Sequence, residues 1–321
     1  MNRKVRAWIL TAVVLIFIGA CLFVGAMAAN GWDFSMLSTE RFITNKYTVN
    51  ESFRDISINV DTTDITFVLT NEKQCTVECK ESDKVRHSVF VENETLMIKT
   101  NDMRKWYDHV EISFDSPTMT VHLPKDEYGT LQIETHTGHI TLPKELNLDN
   151  MKIDGNTGTV TSFSSLTGKI EISLSTGNVK LDNVTAESAR IHTTTGKISL
   201  DSVQVQKEIE LTTSTGKITL SNVQANSFNS QSSTGSVALE NATVKEKMSI
   251  ETNTGAVRLD LCDASEIKIS TSTGDVSGTL ITEKIFICET STGDIDVPKT
   301  TSGGRCEITT STGDIEIKVK K

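Results

Sequence analysis

The stretch Lys207-Glu-Ile209-Glu-Leu211-Thr-Thr213-Ser-Thr215-Gly216-Lys-Ile218-Thr-Leu220 decides how this chain folds. Ile209 and Leu211 alternate with Glu208, Glu210 and Thr212, and a period of two marks a β-strand with one buried face. Past Gly216 the alternation resumes at Ile218 and Leu220, shifted by one residue. Glycine turns a chain where a Cβ would obstruct, so the shift predicts a corner between two short strands.

The pattern recurs in ten copies, at Thr137-Gly138, Thr157-Gly158, Thr176-Gly177, Thr195-Gly196, Thr215-Gly216, Thr234-Gly235, Thr254-Gly255, Thr273-Gly274, Thr292-Gly293 and Thr312-Gly313, in steps of 19 or 20 residues. Seven residues before each glycine the chain is apolar, from Leu131 to Cys306, and five before it stands Ile133, Ile153 or a counterpart, interrupted only by Ser230. The threonines three and one before the glycine extend the same period and are expected to face inward, as internal hydroxyl ladders. After the second strand come turn-forming pairs such as Asp182-Asn183 and Ser221-Asn222, then a third short apolar pair such as Val203/Val205. Each repeat is one coil, and the fold expected is an all-β, single-stranded β-solenoid of about ten coils, roughly 50 Å long at about 4.8 Å per coil.

Residues 47–130 are strand-rich without the regular spacing, with apolar runs at Ile56–Val60, Ile65–Leu69, Leu96–Lys99, Val110–Phe114 and Met119–Leu123. They read as irregular first coils and a cap, with longer loops around Asn101 to Asp108; a separate small β-domain is the alternative. Thr63 takes the glycine place of a worn repeat, and Ile65 the position two beyond. At the other end, Lys318, Lys320 and Lys321 would discourage edge-to-edge pairing of the last strand.

The N-terminus carries Arg3, Lys4 and Arg6 before 22 uncharged residues, Trp8 to Ala29. As a helix these reach roughly 33 Å, enough for a hydrocarbon core of about 30 Å. The basic flank places the N-terminus in the cytoplasm and everything after Asn30 outside. Ala26-Met27-Ala28 and Ile18-Gly19-Ala20-Cys21 leave a cleaved signal and a lipoprotein anchor open, but the apolar run is long and continues past Cys21, which favours an uncleaved span. The organisation expected is a cytoplasmic basic segment at 1–7, a transmembrane anchor at 8–29, a linker at 30–46, irregular coils at 47–130 and regular coils at 131–321.

Net charge is −10, and setting aside the three basic residues of the first 29 leaves −13 outside, which disfavours nucleic acid as a partner. Cys75, Cys79, Cys262, Cys288 and Cys306 form no regular disulfide framework. Cys75 and Cys79 would share one strand face too far apart to bridge, and the other three fall in apolar columns.

The chain resembles the DUF4097 family of bacterial β-strand-repeat envelope proteins, many of them proposed adhesins. The likeness runs from Phe53-Arg-Asp-Ile56-Ser-Ile58, through Leu123-Pro124 and Leu131-Gln-Ile133-Glu-Thr135-His-Thr137-Gly138, to Thr310-Ser-Thr312-Gly313-Asp314-Ile315. It implies a cell-envelope location, with some relatives accessory to envelope stress responses, and it brings no catalytic residues.

Candidate chemistry is sparse. Asp275, Asp294 and Asp314 follow the glycine, with Asp296 and Glu316 two residues after Asp294 and Asp314. Like charges about 4.8 Å apart repel by roughly 0.9 kcal/mol even in water, which Ca²⁺ could relieve. Other coils carry Lys197, Lys217 or Ala256 at that place, so a solvated acidic face stands first and a weak calcium site second. The six histidines follow no metal-ligand spacing, and solvent exposure accounts for His136 and His139, which occupy outward columns of the first coil. Inward threonines argue against ice binding, and acidic columns without nearby arginine argue against a carbohydrate-active β-helix enzyme. No cofactor is expected. The reading is a non-catalytic envelope surface protein, tied to the membrane by its N-terminal helix, for adhesion or recognition of a cell-wall, envelope or protein ligand. The alternative is a structural or regulatory scaffold for a membrane partner in an envelope-stress system.

Overall fold

The computed structural model describes residues 3–32, 42–104 and 116–320. The strand expected at Val110–Phe114, half of the loop at Asn101 to Asp108, His109, much of the linker and Lys321 lie outside them. Helix Arg3–Ala29 contains a 25-residue apolar span, Val5–Ala29, of mean hydropathy 2.8.

Everything described after the helix is β. The ten strands that end at Thr-Gly belong to one thirteen-stranded sheet, the ten that begin two residues past the glycine to a fourteen-stranded sheet, and the short third sides to a sheet of four. Between neighbouring coils the pairing is parallel and in register, as in Ile191↔Leu211 and Leu200↔Leu220. The chain is an all-β solenoid of about ten turns with one apolar N-terminal helix. Its core is one continuous column, in which Ile133, Ile172, Leu211, Ile250 and Ile269 stack from coil to coil with their exposure near zero.

The glycine column has a steric cause. At each of the ten corners φ lies between +146° and +158°, and a Cβ at Gly216 would drive into the carbonyl of Gly196 in the coil beneath. The collision repeats down the stack until Gly138, whose neighbour is the carbonyl of Thr63. Thr63 itself carries its side chain buried at the corresponding corner, and its hydroxyl donates to the Thr62 carbonyl at 2.7 Å. The second corner uses left-handed residues instead: Asn183, Ser202, Asn222 and Asn241 have φ between +52° and +56°.

The two threonine columns part company. The residue three before glycine is buried, as at Thr193, Thr213, Thr252, Thr271 and Thr310. Its hydroxyl donates to the carbonyl of the neighbouring coil's corner glycine, at 3.1 Å from Thr193 to Gly177 and 3.2 Å from Thr252 to Gly235. These hydroxyls therefore satisfy glycine carbonyls and not one another, contrary to the ladder expected. The threonine next to glycine is exposed in all ten copies, which corrects the inward expectation for Thr137, Thr157, Thr176, Thr195, Thr215, Thr234, Thr254, Thr273, Thr292 and Thr312. The strand kinks one residue earlier than period two implies: the ladder skips Ser214 and rejoins at Thr215↔Thr234.

Both ends depart from sequence order. At the C-terminus the final coil, Gly304–Thr312 and Ile315–Val319, lies between Glu266–Thr273 with Val276–Leu280 on one side and Lys284–Thr292 with Ile295–Asp296 on the other. The outermost coil is thus the penultimate one, and it pairs with the last strand at Ile315 and Glu316, short of Lys318 and Lys320. The glycines agree, since Gly293 rests on Gly313 and Gly313 on Gly274. At the N-terminus the coil Asp55–Thr62 and Asp64–Thr70 packs directly on Glu127–Thr137 and Ile140–Leu142, and Thr95–Asp102 with Thr118–Pro124 lies outside it. Three antiparallel strands, Phe42–Val49, Cys75–Ser82 and Val85–Glu92, then close this end. The first of them begins inside the segment expected to be a linker.

Candidate functional site

The closing strands build a polar centre that solenoid periodicity does not explain. Strand Cys75–Ser82 alternates inward at Cys75, Val77, Cys79 and Glu81, and strand Val85–Glu92 places His87 in phase with Val89 and Val91. The chain crosses from one sheet to the other between Ser82 and Val85, where the Val85 N–H donates to Ser82 Oγ at 3.1 Å. Glu81 and His87 consequently meet at the end of the core, both buried.

Glu81 receives four donors. Asn45 Nδ2 and the Tyr47 hydroxyl reach Oε1 at 2.6 and 2.7 Å, and the backbone N–H and Nδ1 of His87 both reach Oε2 at 2.7 Å. Burial by itself would raise the Glu81 carboxyl, yet the hydrogen bonds from Asn45, Tyr47 and His87 together hold it below the usual carboxylate range. Burial, then the bond to Glu81, pushes the Tyr47 phenol well up. His87 Nδ1 faces the Glu81 carboxylate, and Nε2 is buried with no hydrogen-bond partner among the described residues. The sequence carried a signal for this inward place, since His87 shares the parity of Val89 and Val91.

The ligand atoms of Cys79, Glu81 and His87 lie within 4.8 Å of one another, the one such trio among the described residues. Burial pushes the Cys79 thiol up to about 12, and the Glu81 carboxylate is saturated by its four donors, so the hydrogen-bond network accounts for the cluster without an ion. A cavity of about 220 Å³ adjoins it, lined by Glu81, His87, Phe42, Asp61, Thr100 and Arg104 among others. Arg104 is held there by Asp102, with Nη2 to Oδ2 at 2.7 Å. An aromatic edge, a guanidinium, carboxylates and hydroxyls in one hollow suit a small polar ligand better than an apolar one.

The acidic residues at the last coils have another occupation. Asp275 Oδ1 accepts the Asp314 N–H at 3.0 Å, and Asp314 Oδ1 accepts the Asp294 N–H at 2.8 Å. Asp64 and Asn178 do the same for His139 and Lys197, so an Asp or Asn just after the corner bridges adjacent coils. Asp296 stands beside Glu316 in register, and Lys318 bonds Glu316 at 2.5 Å. Elsewhere the rod offers open polar grooves, one of about 290 Å³ along the third side between Gln204, Gln206, Gln224 and Asn226.

Solved structures share this architecture. A proposed adhesin from Parabacteroides merdae ATCC 43184 is 12% identical, covers 86% of this chain and 97% of its own, and has a TM-score of 0.51. One from Bacteroides fragilis NCTC 9343 is 15% identical over 86% of this chain and 97% of its own, with a TM-score of 0.46. At such identity the likeness speaks to fold alone. No curated protein matches the chain. The family model described as Toastrack DUF4097 matches residues 53–212 and 206–321, nearly the whole β region, and the chain belongs to that family.

Proposed function

We propose that the chain is a non-catalytic cell-envelope surface protein. Helix Arg3–Ala29 holds it in the membrane with the solenoid outside, and the solenoid serves adhesion or recognition of an envelope ligand. One observation supports this above the others: inward columns repeat from coil to coil while outward columns do not. Eight and six residues before glycine stand Lys169 and Glu171, then Ser188 and Arg190, then Glu208 and Glu210, then Ser227 and Asn229. A surface released from the repeat while the interior keeps it is the pattern of a rigid display scaffold. The hollow beside His87 is one place on it to hold a small polar group.

The reading is tested on the full chain in detergent micelles, by sedimentation with purified cell-wall polymer. Co-sedimentation is expected, and its absence across wall and membrane fractions would overturn the reading. Location is tested separately with T215C, an exposed corner position. In intact cells it should react with a membrane-impermeant maleimide, and labelling only after lysis would place the solenoid inside.

A further inference from the structure

We infer that the C-terminal end of the solenoid is a self-association surface, where the outermost coil pairs with the same coil of a second copy across a two-fold axis.

The outermost coil is unlike the others on its outer face. Eight and six residues before the corner glycine, the nine other repeats carry polar or charged side chains, from Thr130 and Gln132 to Arg305 and Glu307. In the outermost coil these positions are Ile285 and Ile287, exposed by 43% and 48%. Its inward residues are uncovered as well: Phe286 and Cys288 are only partly buried and Ile295 is 45% exposed, whereas Cys306, Ile308 and Ile315 one coil further in are at 0 to 1%. Strand Lys284–Thr292 is therefore apolar on both faces around its centre, as strands are when buried inside a sheet, yet it is an edge. An uncovered edge with this composition is normally blunted by charge or covered by another strand.

A second copy fits the edge. Antiparallel pairing about Ile287 sets Ile287 against its mate on the outer face and Phe286 against the partner's Cys288 on the inner face, so the two cores become one. The same register puts Ile285 opposite the partner's Glu289, and Lys284 opposite the partner's Thr290, so no like charges face each other. Growth stops at two, because a two-fold pairing uses the same edge of both copies and leaves none free at that end. The inference stands apart from the adhesion reading, since a dimer needs no envelope ligand.

The test uses the full chain in detergent micelles, with its mass measured by light scattering across a micromolar range. A dimer is expected. Ile285→Lys combined with Ile287→Lys changes two outward side chains, so thermal unfolding of the monomer should be unaltered while the dimer weakens by roughly tenfold or more. A monomeric wild type, or a double variant that dimerises as tightly, overturns the inference; the second result would assign association to the anchor helix. With Cys21→Ser removing the exposed thiol of the helix, Ile287→Cys sets two outward thiols beside the two-fold axis, where a short bismaleimide should join two chains, and the Cys21→Ser chain without Ile287→Cys should give no product. Cross-linking of the Ile287→Cys chain in intact cells to a different protein, with no self-linked product, would give the edge to another partner and also overturn the inference.

Discussion

In the middle of this molecule, between Asn147 and Leu280, neighbours in sequence are neighbours in space, and every coil rests on the one before it. At both ends that rule fails, because the second coil in sequence lies outside the first and the penultimate lies outside the last. Local sequence sets the shape of a coil, and it does so equally well in either region. The order of coils is set by what can cover an end, a non-local matter on which the repeat is silent. Thr63 joins the two descriptions, as the corner residue on which the column of glycines ends at Gly138.

The comparison can be broken most forcefully by truncation. Ending the chain at Gly303 removes one coil in sequence but should release two in space, because Lys284–Thr292 pairs with Gly304–Thr312 and with no other first-side strand. Hydrogen exchange should then show loss of protection from Lys284 onward, and retained protection in Lys284–Thr292 would refute the swapped order. Next in size, Gly216→Ala should cost about 3 kcal/mol by forcing a Cβ against the Gly196 carbonyl, measured by denaturant unfolding, while Thr63→Ala should cost about 1 kcal/mol or less.

Glu81→Gln replaces an all-acceptor carboxylate with an amide that meets four donors, and should cost about 2 kcal/mol near neutral pH. The sign of the pH dependence follows from the lowered carboxyl. Its contribution is fully present above the unfolded value of roughly 4.3 and is lost as pH falls through the folded value, so the wild type should lose its advantage over the variant only in acid. A difference between the two that stayed constant down to the acid limit would remove Glu81 from the account of the cap. The smallest contrast lies two residues apart on one strand. Thr193→Val should cost about 1 kcal/mol through the lost bond to Gly177, and Thr195→Ala, on the exposed column, less than about 0.5 kcal/mol. Equal costs would return both threonines to one face.

Much of the coil was legible because it follows from period two and from residues that can do only one thing: Ile133 and its stack must be covered, and Gly216 must lack a Cβ. The outward threonine was not, because alternation extrapolated through Thr215 takes no account of a kink that consumes one position at Ser214. The swap escaped for a different reason: Gly293 and Gly313 stand 20 residues apart whichever coil lies outside. The isoleucines at 285 and 287, in columns otherwise polar, were its only trace. At the cap, Glu81 and His87 occupy the parity of Val77 and Val89, so alternation already turned them inward; what it could not supply was that the crossing at Ser82–Val85 brings them together.

The tucked final coil also governs how the tip comes apart. A strand that ends a chain can fray from its terminus, and exopeptidases begin there. Here the outermost strand is the middle of a loop, fastened on one side through Leu280 and on the other through the coil beneath it, and Lys320 N–H is itself tied to the Leu280 carbonyl at 2.8 Å. Among the described residues no strand end at the tip is left untied, so opening requires two neighbouring coils to let go at once.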